Sequence, residues 1–129
     1  RILQAPADGE AGARFAAWHR RLLDLPSRYY CEVVEELFRR NSFAKGQFTG
    51  LGRVLSLSSV RAPIFALAAQ EDDTVPRQQT FAIARLAGAA RGTVRTLTAP
   101  GGHLAPFLGA ANLEGPWRSV ARWMRRVNP

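Results

Sequence analysis

The apolar residues of the first third of the chain recur at helical spacing. Phe15, Trp18, Leu22 and Leu25 form one stripe and predict a helix over 11–25. Residues 1–10 carry Pro6, Asp8 and Gly9 and are expected to be a loop or a frayed end. Pro26 lacks the N–H that a continuing helix needs, so the helix is expected to end there. Ser27 is placed to cap a second helix through its hydroxyl. That helix runs to about Arg40, with Tyr30, Val33, Val34, Leu37 and Phe38 on one face. Glu32, Glu35, Glu36 and Arg39 line the other face, and Asn41 is the expected stop.

The period then shortens. Gln47-Phe48-Thr49 and Arg53-Val54-Leu55 flank Gly50-Leu51-Gly52, which predicts a short β-hairpin. Ser56, Ser58 and Ser59 form a polar linker. The run from Pro63 to Ala69 is continuously apolar, as in a strand buried on both faces of a parallel sheet. A helix is predicted over 77–87, with Phe81, Ala84 and Leu86 apolar and Gly88 ending it. Val94 to Thr98 is the next strand. A loop leads to Gly115 and Pro116, which open a last helix with Trp117, Val120, Met124 and Val127 as its apolar stripe. Strand, helix and strand in that order predict a right-handed βαβ unit. The fold class expected is therefore α/β.

Composition adds limits. With 129 residues the chain has room for one domain, and 47% hydrophobic residues suit a globular one. No apolar run is long enough to span a membrane. The chain does not open on Met and shows no signal-peptide pattern, as expected for a piece of a longer protein. Its single cysteine, Cys31, excludes an internal disulfide and points to the cytoplasm. The net charge of +8 is almost all arginine, because Lys45 is the only lysine. Those arginines are scattered, with no zinc-finger spacing, aromatic RNA-binding run or Arg-Gly repeat. No nucleic-acid partner is expected.

Two loops carry candidate chemistry. Glu71-Asp72-Asp73-Thr74-Val75-Pro76 follows the first buried strand, and Pro100-Gly101-Gly102-His103-Leu104 follows the second. In an open α/β sheet, ligands bind beyond the carboxyl ends of the strands. Parallel neighbours lie about 5 Å apart, so the two loops share an edge and a carboxylate can meet the imidazole. The carboxylate would fix the imidazole tautomer and stabilise the imidazolium. Gly101 and Gly102 allow a sharp turn before His103. Glu71 and Asp73 are alternatives to Asp72. Cys31 lies in the first turns of a helix without neighbouring glycine, so a buried or half-buried structural role is expected for it. His19 is expected on a solvated helix face. No metal-ligand spacing occurs, and neither a metal nor a cofactor is expected.

Asp72-Asp73-Thr74-Val75-Pro76 resembles the Asp-x-x-Val-Pro loop that carries the triad acid of many α/β-hydrolases, and Gly102-His103 resembles their histidine loop. More narrowly, Asn41 to Thr49, Leu55 to Pro63 and Ala69 to Asp72 are similar to stretches of the polyhydroxyalkanoate synthase and depolymerase group. The likeness covers roughly residues 26–127. It implies the C-terminal part of an α/β-hydrolase fold, with a helical, lid-like segment over 1–45. Residues 46–129 would supply a hairpin and two parallel strand–helix units of the core. Asp72 and His103 would be the catalytic acid and base. Synthases tend to have His-Ile where Asp73-Thr74 stands and Trp where Arg77 stands, so an esterase or depolymerase fits better than a synthase.

The nucleophile elbow of this superfamily is Gly-x-Ser-x-Gly, or its Cys counterpart. Glycines four apart occur at Gly46/Gly50 and Gly88/Gly92, but Phe48 and Ala90 stand between them. The nucleophile is therefore expected upstream of Arg1, in an N-terminal portion of the same fold. The expected activity is acyl transfer from an ester, thioester or hydroxyalkanoate, and this piece alone is expected to be inactive. A synthase-like acyltransferase and a non-catalytic binding module with the same fold are the alternatives.

Overall fold

A computed structural model describes residues 10–21, 23–108 and 110–127. The expected loop over residues 1–9 and the side chain of His19 lie outside what is described, as does Leu22. The fold is mixed α/β, with one antiparallel and one parallel pair of strands. No described helix is long and apolar enough to cross a membrane.

Helix α1 spans Glu10–His19 and ends well before Pro26, so the first helix is shorter than its apolar stripe suggests. Trp18 is exposed, its ring tilted against half-buried Phe15. Helix α2 spans Ser27–Val33 and continues as a wider π-helical turn over Val34–Arg39. Its N-cap is Pro26 and no side chain caps it, so Ser27 is the first helical residue rather than the cap. Asn41, at φ 53°, terminates this segment as expected. Only Val33 and Val34 of the predicted apolar face are half-buried. Tyr30, Leu37 and Phe38 are exposed. Half-buried carboxylates and exposed guanidiniums instead knit the helix end, Glu35 with Arg39 and Arg40, and Glu36 with Arg40.

Strands β1 (Phe48–Gly50) and β2 (Arg53–Leu55) form the expected hairpin, with Phe48 opposite Leu55. Leu51 and Gly52 both have positive φ, 53° and 75°, which is the twist-matched turn of two-residue hairpins. The serine linker becomes a 3-10 turn over Leu57–Ser59, where the Ser56 hydroxyl accepts from the Ser58 N–H.

Strands β3 (Ile64–Ala69) and β4 (Val94–Ala99) pair in parallel, from Ile64 opposite Val94 to Ala69 opposite Ala99. Between them the chain is helical, split into α3 (Arg77–Phe81) and α4 (Ile83–Leu86). Gly88 does not stop this helix through its own conformation, since Ala87 is already extended. Its role is close approach. A Cβ there would lie 1.9 Å from the Ser58 carbonyl oxygen, and the Arg61 guanidinium donates to the Gly88 carbonyl at 2.9 Å.

The stretch expected to be a loop after His103 holds two short helices, α5 (Ala105–Leu108) and α6 (Ala110–Glu114). The last helix, α7, spans Pro116–Val127 and packs on β3 and β4. Its packed face differs from the stripe anticipated. Trp117 and Val120 of that stripe are half-buried, as are Pro116 and Trp123, whereas Met124 and Val127 are exposed. Trp123 stands edge-on to Phe65 of β3, with ring centroids 5.4 Å apart, a geometry that adds about 0.5–1.5 kcal/mol to plain burial. The buried apolar side chains of the two strands are small: Ala66, Ala68, Ala69 and Ala99. Three of them sit at the carboxyl ends of the two strands, beneath the candidate loops.

Two outcomes follow for stability. Replacing Leu51 by Asn, which tolerates positive φ, should raise stability by about 1 kcal/mol. The urea midpoint should rise with an unchanged slope. Trp123→Ala should cost roughly 2–3 kcal/mol, while Met124→Ala should shift the same midpoint very little.

Candidate active site

Parallel pairing carries on beyond the strands. The Gln70 N–H donates to the Ala99 carbonyl at 2.8 Å, and the Glu71 N–H to the Gly101 carbonyl at 3.0 Å. The two loops therefore leave the sheet side by side, and residues 31 apart in sequence meet. His103 Nδ1 lies 2.9 Å from Asp72 Oδ2 and 3.1 Å from Oδ1.

Each loop is shaped by local chemistry. Asp72 Oδ1 accepts from the Thr74 N–H at 3.0 Å and the Val75 N–H at 2.8 Å, an Asx-type turn that folds the loop around its own carboxylate. Pro76, with φ −54°, then opens α3, and its carbonyl takes the N–H groups of Gln79 and Thr80. The Asp-x-x-Val-Pro spacing thus has a physical meaning: two amides for the carboxylate, a half-buried anchor at Val75, and a preset helix start. In the histidine loop, Gly101 has φ 93°, and a Cβ on it would lie 2.6 Å from the Ala105 Cβ. Only glycine fits there. Gly102 is different, since a Cβ on it would make ordinary contact, 3.8 Å from the Glu71 carbonyl.

The pair is asymmetric in its exposure. The Asp72 side chain is 8% exposed and that of His103 is 32% exposed. Burial alone pushes the Asp72 carboxyl upward. The Val75 N–H, the His103 ring and the Thr74 N–H outweigh it, and the group is held below its ordinary value of 3.8. Nδ1 is the engaged nitrogen of His103, and Nε2 makes no hydrogen bond among the described residues. Of the alternative acids, Asp73 accepts, among the described residues, only from the Thr74 hydroxyl, at 3.4 Å, and Glu71 is exposed. Neither is hydrogen-bonded to the imidazole.

Cys31 is exposed, contrary to the buried or half-buried position expected. The reason lies in α2, none of whose residues is buried. Among the described residues no group of three His, Cys, Asp or Glu side chains could hold a metal ion. Two side chains hold the stretch around the histidine loop in a way the sequence does not announce: Asn112, not singled out there, and Trp117, placed there only in an apolar stripe. Buried Asn112 donates to the carbonyls of Pro100, at 3.1 Å, and Ala105, at 2.9 Å. Trp117 Nε1 donates to the Pro106 carbonyl at 2.6 Å. The run Ala110-Ala111-Asn112-Leu113-Glu114 is rich in helix formers, which was the available signal for α6.

The lowered Asp72 value has a pH signature. A carboxyl depressed in the folded state binds fewer protons there than in the unfolded chain. Its stabilisation is complete above the ordinary carboxylate range and is lost as pH falls through that range towards the lower folded value. Asp72→Asn should remove this contribution. Urea midpoints of the two proteins should differ near neutral pH and converge in acid, and a gap that stays constant below pH 4 would contradict the carboxylate's role.

No family model matches the chain, and neither a curated protein nor a solved structure matches it. The function is therefore argued from the chemistry of the pair itself.

Proposed function

We propose that Asp72 and His103 are the acid and base of an α/β-hydrolase triad, in a protein that transfers acyl groups from esters or thioesters. One arrangement supports this above all: a buried carboxylate engages Nδ1, while Nε2 has no partner among the described residues. A neutral imidazole held this way carries its proton on Nδ1 and keeps a lone pair on Nε2. A Ser or Cys from outside residues 1–129 then attacks the acyl carbon and gives its proton to Nε2. Asp72 holds the tautomer and stabilises the imidazolium without taking the proton itself. The imidazolium returns that proton to the departing alkoxide or thiolate. Water, activated by the same nitrogen, releases the acid from the acyl-enzyme.

The preferred substrates are acyl esters or hydroxyalkanoates, as for an esterase or polyhydroxyalkanoate depolymerase. The hollow lined by Glu32, Glu36, Arg40 and Lys45 is polar, with Glu36 paired to Arg40, and is the wrong surface for an acyl chain. The exposed apolar side chains Tyr29, Tyr30, Leu37 and Phe38 suit one better, or suit the N-terminal portion of the same fold.

The test uses the complete protein that carries these residues. His103→Ala should lower kcat/KM for a p-nitrophenyl hydroxyacyl ester by about 10⁴-fold or more, and Asp72→Asn by roughly 10⁴-fold. The 129-residue chain alone should show no burst of p-nitrophenol. Full activity in His103→Ala would refute the assignment and leave a binding module.

A further inference from the structure

We infer that Asn112 is a positioning residue for His103, a role that matters to catalysis only if the acyl-transfer function above is right. The histidine loop leaves β4 at Pro100 and re-enters helix at Ala105. Asn112 comes from α6 and reaches both ends of that loop. Its Nδ2 donates to the Pro100 carbonyl, before the histidine, and to the Ala105 carbonyl, after it. One planar amide therefore fixes the distance between the two ends of the loop that bears the imidazole.

The orientation of that amide is not ambiguous. An amide nitrogen has two hydrogens, and both face carbonyl oxygens here. A flipped amide would set Oδ1 against those same two oxygens. The residue is also an expensive choice for its location. Asn112 is only 3% exposed, and its Oδ1 is buried with no hydrogen-bond partner among the described residues. A leucine of similar size would leave no such polar atom unpaired. Asparagine is moreover a mediocre helix former. Packing and propensity both argue against an amide at this position, and only its two donors argue for it.

The loop needs such a brace. The Gly101 backbone is in the left-handed region, and the imidazole is one-third exposed. Within the loop itself the local backbone bond is Ala105 N–H to Gly102 carbonyl, which closes a turn but does not tie the loop to its neighbours. The Glu71 N–H holds Gly101 from the acid side. Asn112 holds the two residues that flank the loop, Pro100 and Ala105. Through the two contacts the imidazole is held at the level of the Asp72 carboxylate.

The experiment reads the imidazole rather than turnover. Long-range ¹H–¹⁵N NMR of the labelled 129-residue chain reports which nitrogen of His103 carries the proton, and His19→Gln assigns the two histidines. In the unaltered chain His103 should be predominantly protonated on Nδ1. Asn112→Leu keeps the volume and removes both donors. It should lower the Nδ1–H to Nε2–H ratio several-fold while far-UV circular dichroism stays unchanged. An unchanged ratio in a folded Asn112→Leu chain overturns the inference. Should that variant not fold, the unaltered chain still decides. The Asn112 Nδ2 protons should exchange with solvent as slowly as the β3–β4 ladder amides, and fast exchange overturns the brace. Loss of the acyl-transfer function would show separately, as activity retained by His103→Ala with the tautomer effect of Asn112→Leu intact.

Discussion

Ala69 lies opposite Ala99 in a parallel register, and the two chains leave the sheet at the same level. The meeting of Asp72 with His103 depends on that register. A shift by one residue would turn every side chain of the strand to the other face and displace its loop along the edge. Two bonds beyond the strands, from Gln70 and Glu71, keep the loops in step for another two residues. The alanines beneath allow this closeness. Ala68, Ala69 and Ala99 are buried, and larger side chains there would lift the loops off the strand ends.

The carboxylate and the imidazole then divide the work unequally. Asp72 is the buried, fully engaged member, with two backbone amides and a ring nitrogen around it. Its loop is wound about the charge, so the two amides that shape the turn also help, with the imidazole, to hold the carboxyl below its ordinary value. His103 is the more open member, and it presents one nitrogen to the acid and one away from it. An arrangement that merely stapled two loops together would need no such difference in exposure. On the proposed reading, the locked carboxylate and the more open imidazole serve proton transfer.

Away from this edge the chain makes a thinner structure. Large apolar side chains on α1, α2, α6 and α7 remain exposed, among them Trp18, Tyr30, Phe38, Leu113 and Met124. The parallel sheet has two strands among the described residues, and such sheets are ordinarily covered on both faces. The edge that carries Asp72 and His103 differs from these surfaces. There, backbone ladders, an Asx turn and the Asn112 brace converge on a few residues.

Local chemistry was legible in the sequence wherever neighbours along the chain decide the outcome. Gly50-Leu51-Gly52 announced a hairpin, the run from Pro63 to Ala69 a buried strand, and the strand–helix–strand order a parallel pair whose loops share an edge. The preference for Asp72 over Asp73 and Glu71 rested on the resemblance to an Asp-x-x-Val-Pro loop; that Thr74 and Val75 turn their amides to that one carboxylate is a finding of the structure. Tertiary contacts decided the rest. Periodicity could not tell that Trp123 rather than Met124 faces the sheet, since both sit within one turn of an amphipathic helix and only Phe65 selects between them. Nor could it tell that Cys31 and the Tyr30–Phe38 stripe stay exposed, because an apolar stripe says what a helix could bury and not whether anything covers it. The role of Asn112 was invisible for the same reason: its two partners, Pro100 and Ala105, are brought to it by the fold of the loop rather than by any spacing along the chain.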